Sequence, residues 1–232
     1  MVESTNFEKD DEMKVVHLDL PARQEDIAKL ELGSAVYLNG VVYTAREGVY
    51  KKVLEQGEAL PEPDLASISN VNFHCSPAAA EDGQGGYKVG AVTATASFRF
   101  SKWLPQWIER TGARIIIGKG GMPAEDYKKV LAPLGAVYLT TVGYGTGALL
   151  GRGIRKVRAV HWLDELGIAQ AMWMFEVQNF GPFIVESDIA GNSLFALHGE
   201  QINAGIEKLY AGLKPPALHR YGETSDRKNE VM

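Results

Sequence analysis

The sequence predicts an α/β fold, a single domain with a mixed β-sheet, and three observations lead to this prediction. The 232 residues are 45% hydrophobic and 23% charged, a composition typical of a globular protein with a sizeable core. From about residue 68 onward, strand-like and helix-like segments alternate, which is the pattern of an α/β sheet. The N-terminal third is rich in strand-like segments, so the sheet is expected to be mixed.

The predicted domain spans residues 14–213, between an acidic tail at 1–13 and a polar tail at 214–232. Its first elements are a strand at 13–21, a short helix and a turn at 22–34, a β-hairpin at 35–46 and a helix at 47–58. The hairpin is predicted from Asn39 and Gly40, because Asn-Gly between two β-rich runs is the strongest short hairpin signal.

The later elements alternate in type. They are a strand at 66–77, a glycine-rich turn at 78–88, a strand in 89–100, a helix at 101–112, a strand at 113–118, a helix at 123–135, a strand from 136 into a glycine-rich segment, and a last helix near 199–212. Ser76 and Pro77 are expected to end the first of these strands. Trp103 and Trp107 share one helix face and are expected in the core, not as a stacking platform.

Charge and hydropathy argue against several functional classes. The net charge is −5 and the isoelectric point about 5.6, so no global basic field attracts nucleic acid. No apolar run reaches the roughly 18–20 residues that cross a bilayer, and the acidic N-terminus lacks the apolar core of a secretory signal. The expectation is a cytoplasmic protein that binds neither nucleic acid nor membrane.

The chain has one cysteine, Cys75, which cannot alone hold an iron–sulfur cluster or a structural zinc ion. The five histidines show none of the spacings typical of metal ligands. A metal site built from this chain alone is therefore not expected. A buried His74-Cys75 pair is preferred over a nucleophilic dyad.

Three predicted strands end in small residues that accompany a polar group, at 93–99, 118–122 and 140–147. Ligands of α/β sheets collect beyond the carboxyl ends of strands, where glycine lets backbone N–H groups approach an anion. Arg99 offers a planar fork for a carboxylate, and Lys119 offers a mobile ammonium group. A solvated turn at Lys119 and a rim position for Arg99 remain open alternatives, so spacing alone supports a candidate carboxylate site.

Six motifs, in order, resemble the β region of the iron–sulfur hydro-lyases of the class I fumarase and L-tartrate dehydratase family. They are VYLNGVVYTARE, FHCSP, VGAVTATASFRF, IIIGKGGM, GAVYLTTVGYGTGALL and VHWLDELGIAQAMWMFEVQNFGPFIVESDIAGNSLF, and they cover roughly residues 30–212. The resemblance implies a swivelling β/β/α domain, the β subunit of an enzyme that adds or removes water on a C4 dicarboxylate. It also implies an α2β2 assembly in which a separate α subunit holds a [4Fe–4S] cluster.

The resemblance also assigns roles to individual residues. Arg99 is expected to bind a substrate carboxylate, and Lys119 to stabilise developing charge or to transfer a proton. Further substrate-binding residues implied by the same motifs are Thr95, Ser97, Gly118 and Gly120.

Some positions depart from the family pattern. The residues that follow Arg99, usually Met-Asp, are Phe100 and Ser101; a common histidine is replaced by Tyr50, and a second glycine by Tyr144. The changed motif keeps open a divergent, non-catalytic binding or regulatory subunit. A third hypothesis is a stand-alone carboxylate-binding enzyme that uses Lys119 as a Schiff-base or proton-transfer group. The changes also leave the particular hydroxy-dicarboxylic acid undetermined.

Overall fold

The computed structural model describes residues 13–143 and 145–212. By its internal contacts the chain divides into one unit of residues 1–195 and a second of residues 196–232. Most of the two predicted tails, residues 1–12 and 214–232, lies outside the described residues, so the predicted domain boundaries stay predictions.

The first unit is an α/β domain whose strands are longer and more regular than most of its helices. The strands are β1 (Val15–Asp19), β2 (Ala35–Thr44), β3 (Val71–Phe73), β4 (Cys75–Glu81), β5 (Tyr87–Ala94), β6 (Ile115–Gly118), β7 (Val137–Thr141), β8 (Ile154–His161) and β9 (Met172–Ser187).

The helices are mostly short. They are α1 (Gln24–Ile27), α2 (Glu47–Tyr50) with a π-helical extension (Lys51–Glu55), α3 (Leu65–Ile68), a 3₁₀ turn (Phe98–Trp103) leading into α4 (Leu104–Thr111), α5 (Ala124–Asp126) with a second π-helical extension (Tyr127–Leu131), α6 (Thr146–Gly153), α7 (Leu163–Leu166) and α8 (Leu194–Tyr210). None of the helices in the described residues combines the length and apolarity needed to cross a membrane.

Seven strands form one mixed sheet in the order β1-β2-β3-β6-β7-β9-β8. The pairings β1–β2, β2–β3, β3–β6 and β6–β7 are parallel, whereas β9 runs antiparallel to β7 and β8. β9 also pairs antiparallel with β2, so the pairings β2–β3–β6–β7–β9–β2 close into a circuit. The predicted α/β class and mixed sheet are confirmed, and the parallel run brings the carboxyl ends of β3, β6 and β7 to one edge.

The hairpin predicted at residues 35–46 is wrong, because β2 continues through it as one strand. Gly40 has φ of +117°, and a Cβ atom there would lie 2.9 Å from the Leu20 backbone oxygen. The Asn39 side chain accepts a hydrogen bond from the Asn179 backbone N–H (2.8 Å) and donates one to Asp19 (3.1 Å). The dipeptide thus makes an irregularity inside a strand that is paired on both sides, not a turn.

The expected strand end at Ser76 and Pro77 is also wrong. Both residues lie in β4, which among the described residues pairs with β5 alone, in a separate two-stranded sheet. A proline is tolerated there because the other edge of β4 needs no ladder hydrogen bond. The glycine-rich turn predicted at 78–88 is shorter than expected and contains only the residues between β4 and β5. In this turn the Asp82 carboxylate accepts hydrogen bonds from the backbone N–H groups of Gln84 and Gly86.

An aromatic cluster packs close to the ends of the parallel strands. Trp103 and Trp107 are 6% and 0% exposed, and the Tyr50 and Trp107 rings meet edge to face at 4.9 Å. The expectation that the tryptophan pair belongs to the core is confirmed.

Candidate active site

Two of the three predicted loops run side by side. Ala96, in the loop after β5, forms an isolated parallel bridge with Lys119, which follows β6. The Lys119 backbone N–H donates to the Thr95 carbonyl oxygen at 3.3 Å, and the Thr95 N–H donates to the His74 carbonyl at 2.6 Å. These backbone bonds tie the end of β5, from the smaller sheet, to the adjoining carboxyl ends of β3 and β6.

A cavity of about 220 Å³ opens where these loops meet the start of α6. Its lining is made of strand ends and the glycine-rich segment: Val92, Thr93, Ala94, Lys119, Thr141, Gly143, Gly145, Thr146, Gly147, Ala148 and Leu150. The structure therefore brings residues from all three predicted loops around one space, with the exposed Lys119 side chain as the charged member of the described lining. Tyr144 lies outside the described residues.

Close packing explains the glycines of this region. A Cβ atom on Gly118 would lie 1.9 Å from Ser97 Oγ and 2.8 Å from Tyr138 Oη, so no larger residue fits without displacing them. Gly120 has φ of +71° and faces open space, so its role is conformational. On α6, a Cβ atom on Gly147 would lie 2.6 Å from the Val92 carbonyl oxygen, which shows how closely that helix approaches β5.

The two hydroxyl residues predicted to bind substrate are largely withdrawn from solvent. Thr95 is 7% exposed and Ser97 is fully buried, and neither belongs to the lining of the cavity. Their substrate-binding role stays a prediction, as do those of Gly118 and Gly120.

Arg99 lies outside the cavity lining and is exposed, with its guanidinium carbon 5.6 Å from the centre of the Phe100 ring. A second arginine, Arg46, lies near enough to Arg99 to interact with it electrostatically. Burial lowers the pKa of Arg46, and the nearby positive charge of Arg99 lowers that pKa further. The two like charges lie close together, and the carboxylate of Glu47 interacts electrostatically with both of them.

Arg46 is the residue that sequence reasoning missed. Its guanidinium donates to Ser76 Oγ and to the Ala169 carbonyl oxygen at 2.8 Å, which fixes its orientation. Its Nε is buried and has no hydrogen-bond partner among the described residues. The available signal was its place in the motif VYLNGVVYTARE, which carried the resemblance without an assigned role for this arginine.

A buried polar cluster lies behind these loops. His74 Nε2 is 2.7 Å from Tyr50 Oη, and His74 Nδ1 is 2.7 Å from Ser97 Oγ. Tyr138 donates to the same serine oxygen at 2.8 Å. Burial, assisted by the charge of Arg46, lowers the pKa of His74 to about 3, so the imidazole is neutral.

Cys75, next to His74, is 1% exposed, and burial raises the pKa of its thiol. Because a nucleophilic cysteine needs a thiolate in a partly exposed, electropositive site, the preference for a buried pair is confirmed.

A buried carboxylate is connected to the lysine turn through hydrogen bonds. Glu186 is 1% exposed and accepts hydrogen bonds from the hydroxyl groups of Tyr127 and Ser193. Tyr127 Oη in turn accepts the backbone N–H of Met122 at 2.6 Å, at the end of the GKGG turn. Burial raises the pKa of Glu186.

A domain that presents a lysine at a cavity beyond its strand ends, with two arginines on the segments after β2 and β5, is suited to bind an organic polyanion. The chain belongs to the family described as the fumarase C-terminus, whose family model matches residues 2–198. The predicted family resemblance is therefore confirmed.

Several curated proteins are similar to the chain over most of its length. The chain is 35% identical over 187 residues to the "Putative L(+)-tartrate dehydratase subunit beta" of Methanocaldococcus jannaschii, covering 80% of this chain and 92% of the relative. It is 28% identical over 208 residues to the L(+)-tartrate dehydratase subunit beta of Escherichia coli K12, covering 89% and 95%. It is 32% identical over 200 residues to the "Putative fumarate hydratase class I" of Geobacillus stearothermophilus, covering 86% of this chain but 37% of that relative.

Proposed function

We propose that this chain is the β subunit of a two-subunit hydro-lyase that adds or removes water on a C4 hydroxy-dicarboxylic acid of the tartrate or malate type. The observation that carries the proposal is the nearly full-length similarity to subunits named for L(+)-tartrate dehydratase. A longer fumarate hydratase relative, of which the chain matches 37%, supports the same reaction class and a separate partner for the remaining part.

The cationic groups of the site match a dicarboxylate. Arg46 and Arg99 present planar pairs of N–H groups that suit a carboxylate at one end of the substrate, and the unpartnered Nε of Arg46 awaits an acceptor. Lys119, on the turn after a different strand, contributes a compact positive charge at the cavity. In the proposed reaction Arg99 orients one end of the substrate, while Lys119 stabilises charge that develops beside the carbon losing its proton, or takes that proton.

The residues that the structure describes do not fit a [4Fe–4S] cluster. Cys75 is buried with a raised pKa, and the described residues contain no group of three or more His, Cys, Asp or Glu side chains placed to hold a metal. The proposal assigns the cluster to the α subunit, in an α2β2 assembly of the cytoplasm. When bound there, the cluster would supply a Lewis acid for the leaving hydroxyl group.

The surface around the site suits a partner subunit. Phe98, Val142 and Leu149 are 55%, 37% and 49% exposed, and they lie on the loop after β5, directly after β7 and on α6. Large apolar side chains near a charged site are typical of a surface that another subunit covers. We expect the α subunit to protect these loops.

The test is anaerobic co-expression of the chain with its natural α subunit, followed by assays of L-tartrate dehydration and of malate–fumarate interconversion. The intact complex should turn over at least one of these substrates, and the isolated chain should turn over none. Adding the α subunit should slow hydrogen exchange in the loops that carry Phe98 and Val142.

The alternative of a non-catalytic subunit predicts a stable complex without turnover of any hydroxy-diacid. Turnover by the isolated chain would instead support the stand-alone enzyme. Unchanged hydrogen exchange at the three loops would place the partner interface elsewhere.

A further inference from the structure

A chain of buried hydrogen bonds connects four elements behind the site, and its direction can be read from the structure. The Asn72 side-chain oxygen accepts the backbone N–H of Ala45 at 2.9 Å, so its amide nitrogen faces Tyr50 and donates to Tyr50 Oη at 2.6 Å. The Tyr50 hydroxyl therefore directs its own hydrogen to His74 Nε2. The Asn72 amide nitrogen also lies 3.4 Å from His74 Nε2, so two neighbouring groups present donors to that ring nitrogen.

The tautomer of His74 follows. Because Nε2 accepts a hydrogen bond, the neutral imidazole carries its hydrogen on Nδ1 and donates it to Ser97 Oγ at 2.7 Å. Tyr138 donates a second hydrogen bond to the same oxygen at 2.8 Å. Two donors, one directly after β3 and one on β7, thus hold one fully buried hydroxyl group.

The held hydroxyl lies against the main chain of the lysine turn. Ser97 Oγ is 1.9 Å from the position a Cβ atom would take on Gly118, so the serine oxygen contacts the backbone one residue before Lys119. Ser97 is also two residues before Arg99 in sequence. Any shift of this hydroxyl group moves the loop that carries the arginine relative to the turn that carries the lysine.

We propose that Ser97, held by His74 and Tyr138, is a positioning residue that sets the spacing between Arg99 and Lys119 and thereby selects the length of the dicarboxylate. This inference deepens the proposed function and rests on it. It differs from direct substrate binding by Ser97, because the hydroxyl acts through the two loops and is closed off from solvent. A C4 diacid should fit the fixed spacing, and a C5 diacid should not.

The first measurement needs no activity. Long-range ¹H–¹⁵N NMR spectra of the intact complex, labelled in this chain, should show His74 as the neutral tautomer with hydrogen on Nδ1 from pH 5 to pH 8. Tyr50→Phe removes the donor to Nε2 and should alter this signature. A His74 signal with hydrogen on Nε2, or one that titrates near pH 6.5, would overturn the arrangement.

The second measurement compares ligand length. In the wild-type complex, unreactive succinate should bind more tightly than glutarate. Tyr138→Phe removes one donor to Ser97 Oγ at almost constant volume and should reduce this preference about three- to tenfold, the range for one hydrogen bond. Ser97→Ala should reduce it further. Binding of propionate, which needs one cation only, should change less than twofold in both variants.

Tyr43→Phe is the matched control, because Tyr43 is an equally buried tyrosine whose hydroxyl donates to Thr111 at 3.3 Å, outside this chain of hydrogen bonds. It should leave the succinate preference unchanged. Equal losses of succinate, glutarate and propionate affinity in Tyr138→Phe would show a merely structural role and overturn the proposal. A wild-type complex that binds no dicarboxylate would refute the proposed function itself, while the NMR signature would still report on the hydrogen bonds.

Discussion

The two sides of the site hold their positive charges in different ways. Lys119 projects from a turn of consecutive glycines, is exposed, and is secured through its backbone to Thr95. Arg46 is half-buried, and its guanidinium is secured directly by Ser76 and the Ala169 carbonyl. A fixed planar fork orients a carboxylate, whereas a mobile ammonium can follow charge as it develops. This difference indicates that the arginines mainly orient the substrate and that Lys119 acts mainly in the chemical step.

The largest effect is expected on the lysine side. Lys119→Met keeps an apolar stem and removes the charge, so kcat of the complex should fall by roughly two to four decades, the span of general acid–base catalysis, while substrate Kd rises by a much smaller factor. Single-turnover kinetics would measure the effect on the chemical step, and a separate binding measurement would give the effect on Kd. Lys128→Met, at an exposed lysine of the next helical segment, is the control. Turnover near wild type in Lys119→Met would show that the lysine belongs to a solvated turn.

A smaller effect, on substrate binding more than on turnover, is expected for Arg46→Lys. The substitution keeps the charge but loses the fork that Ser76 and Ala169 orient, leaving their acceptor groups short of a donor. Substrate binding should weaken by about 1–3 kcal/mol, the range for a lost charge-assisted hydrogen bond, and KM should rise more than kcat falls. An unchanged KM would remove Arg46 from the site.

Arg99→Lys should act in the same direction, at the lower end of about 1–3 kcal/mol in kcat/KM, because Arg99 is exposed and water partly replaces its hydrogen bonds. Arg110→Lys, on the exposed side of α4, provides a matched control. If Arg99→Lys and Arg110→Lys give the same kinetics, Arg99 is a rim residue, and the binding side depends on Arg46 alone.

A last effect, on stability and not on catalysis, concerns the buried histidine behind both sides of the site. The folded-state pKa of His74 is about 3, below its ordinary value of 6.5, so between these values the unfolded chain binds a proton that the folded chain does not. Its contribution to stability is complete above pH 6.5 and is lost as the pH falls toward 3, by about 1.4 kcal/mol per pH unit.

Urea unfolding of the wild type and of His74→Gln between pH 7 and pH 4 would measure that loss as a difference in slope. Glu186, whose raised pKa gives a pH dependence of opposite sign, contributes equally to both proteins and cancels. Parallel curves for the two proteins would mean that His74 is not buried as a neutral imidazole.

Local patterns predicted the lysine turn well, because each of its signals lies within a few residues. A run of three isoleucines predicts a buried strand, and the following glycines allow the positive φ angles of the turn. The same reasoning failed at Asn39 and Gly40, where the deciding contacts come from Leu20 and from β9, about 140 residues later. A hairpin signal read over two residues cannot include such contacts.

By itself, the sequence determined the α/β class, the family and the three loops that meet at the cavity, because periodicity, glycine placement and ordered motifs are local properties of the chain. The tertiary structure alone decided which polar groups are buried and which charges meet. Arg46 lies near Arg99, and Ser97 turns away from solvent toward His74, because the segments after β2 and β3 pack against the segment that follows β5, a strand of the smaller sheet. Burial and charge proximity depend on the packing of distant segments, which no short stretch of sequence contains.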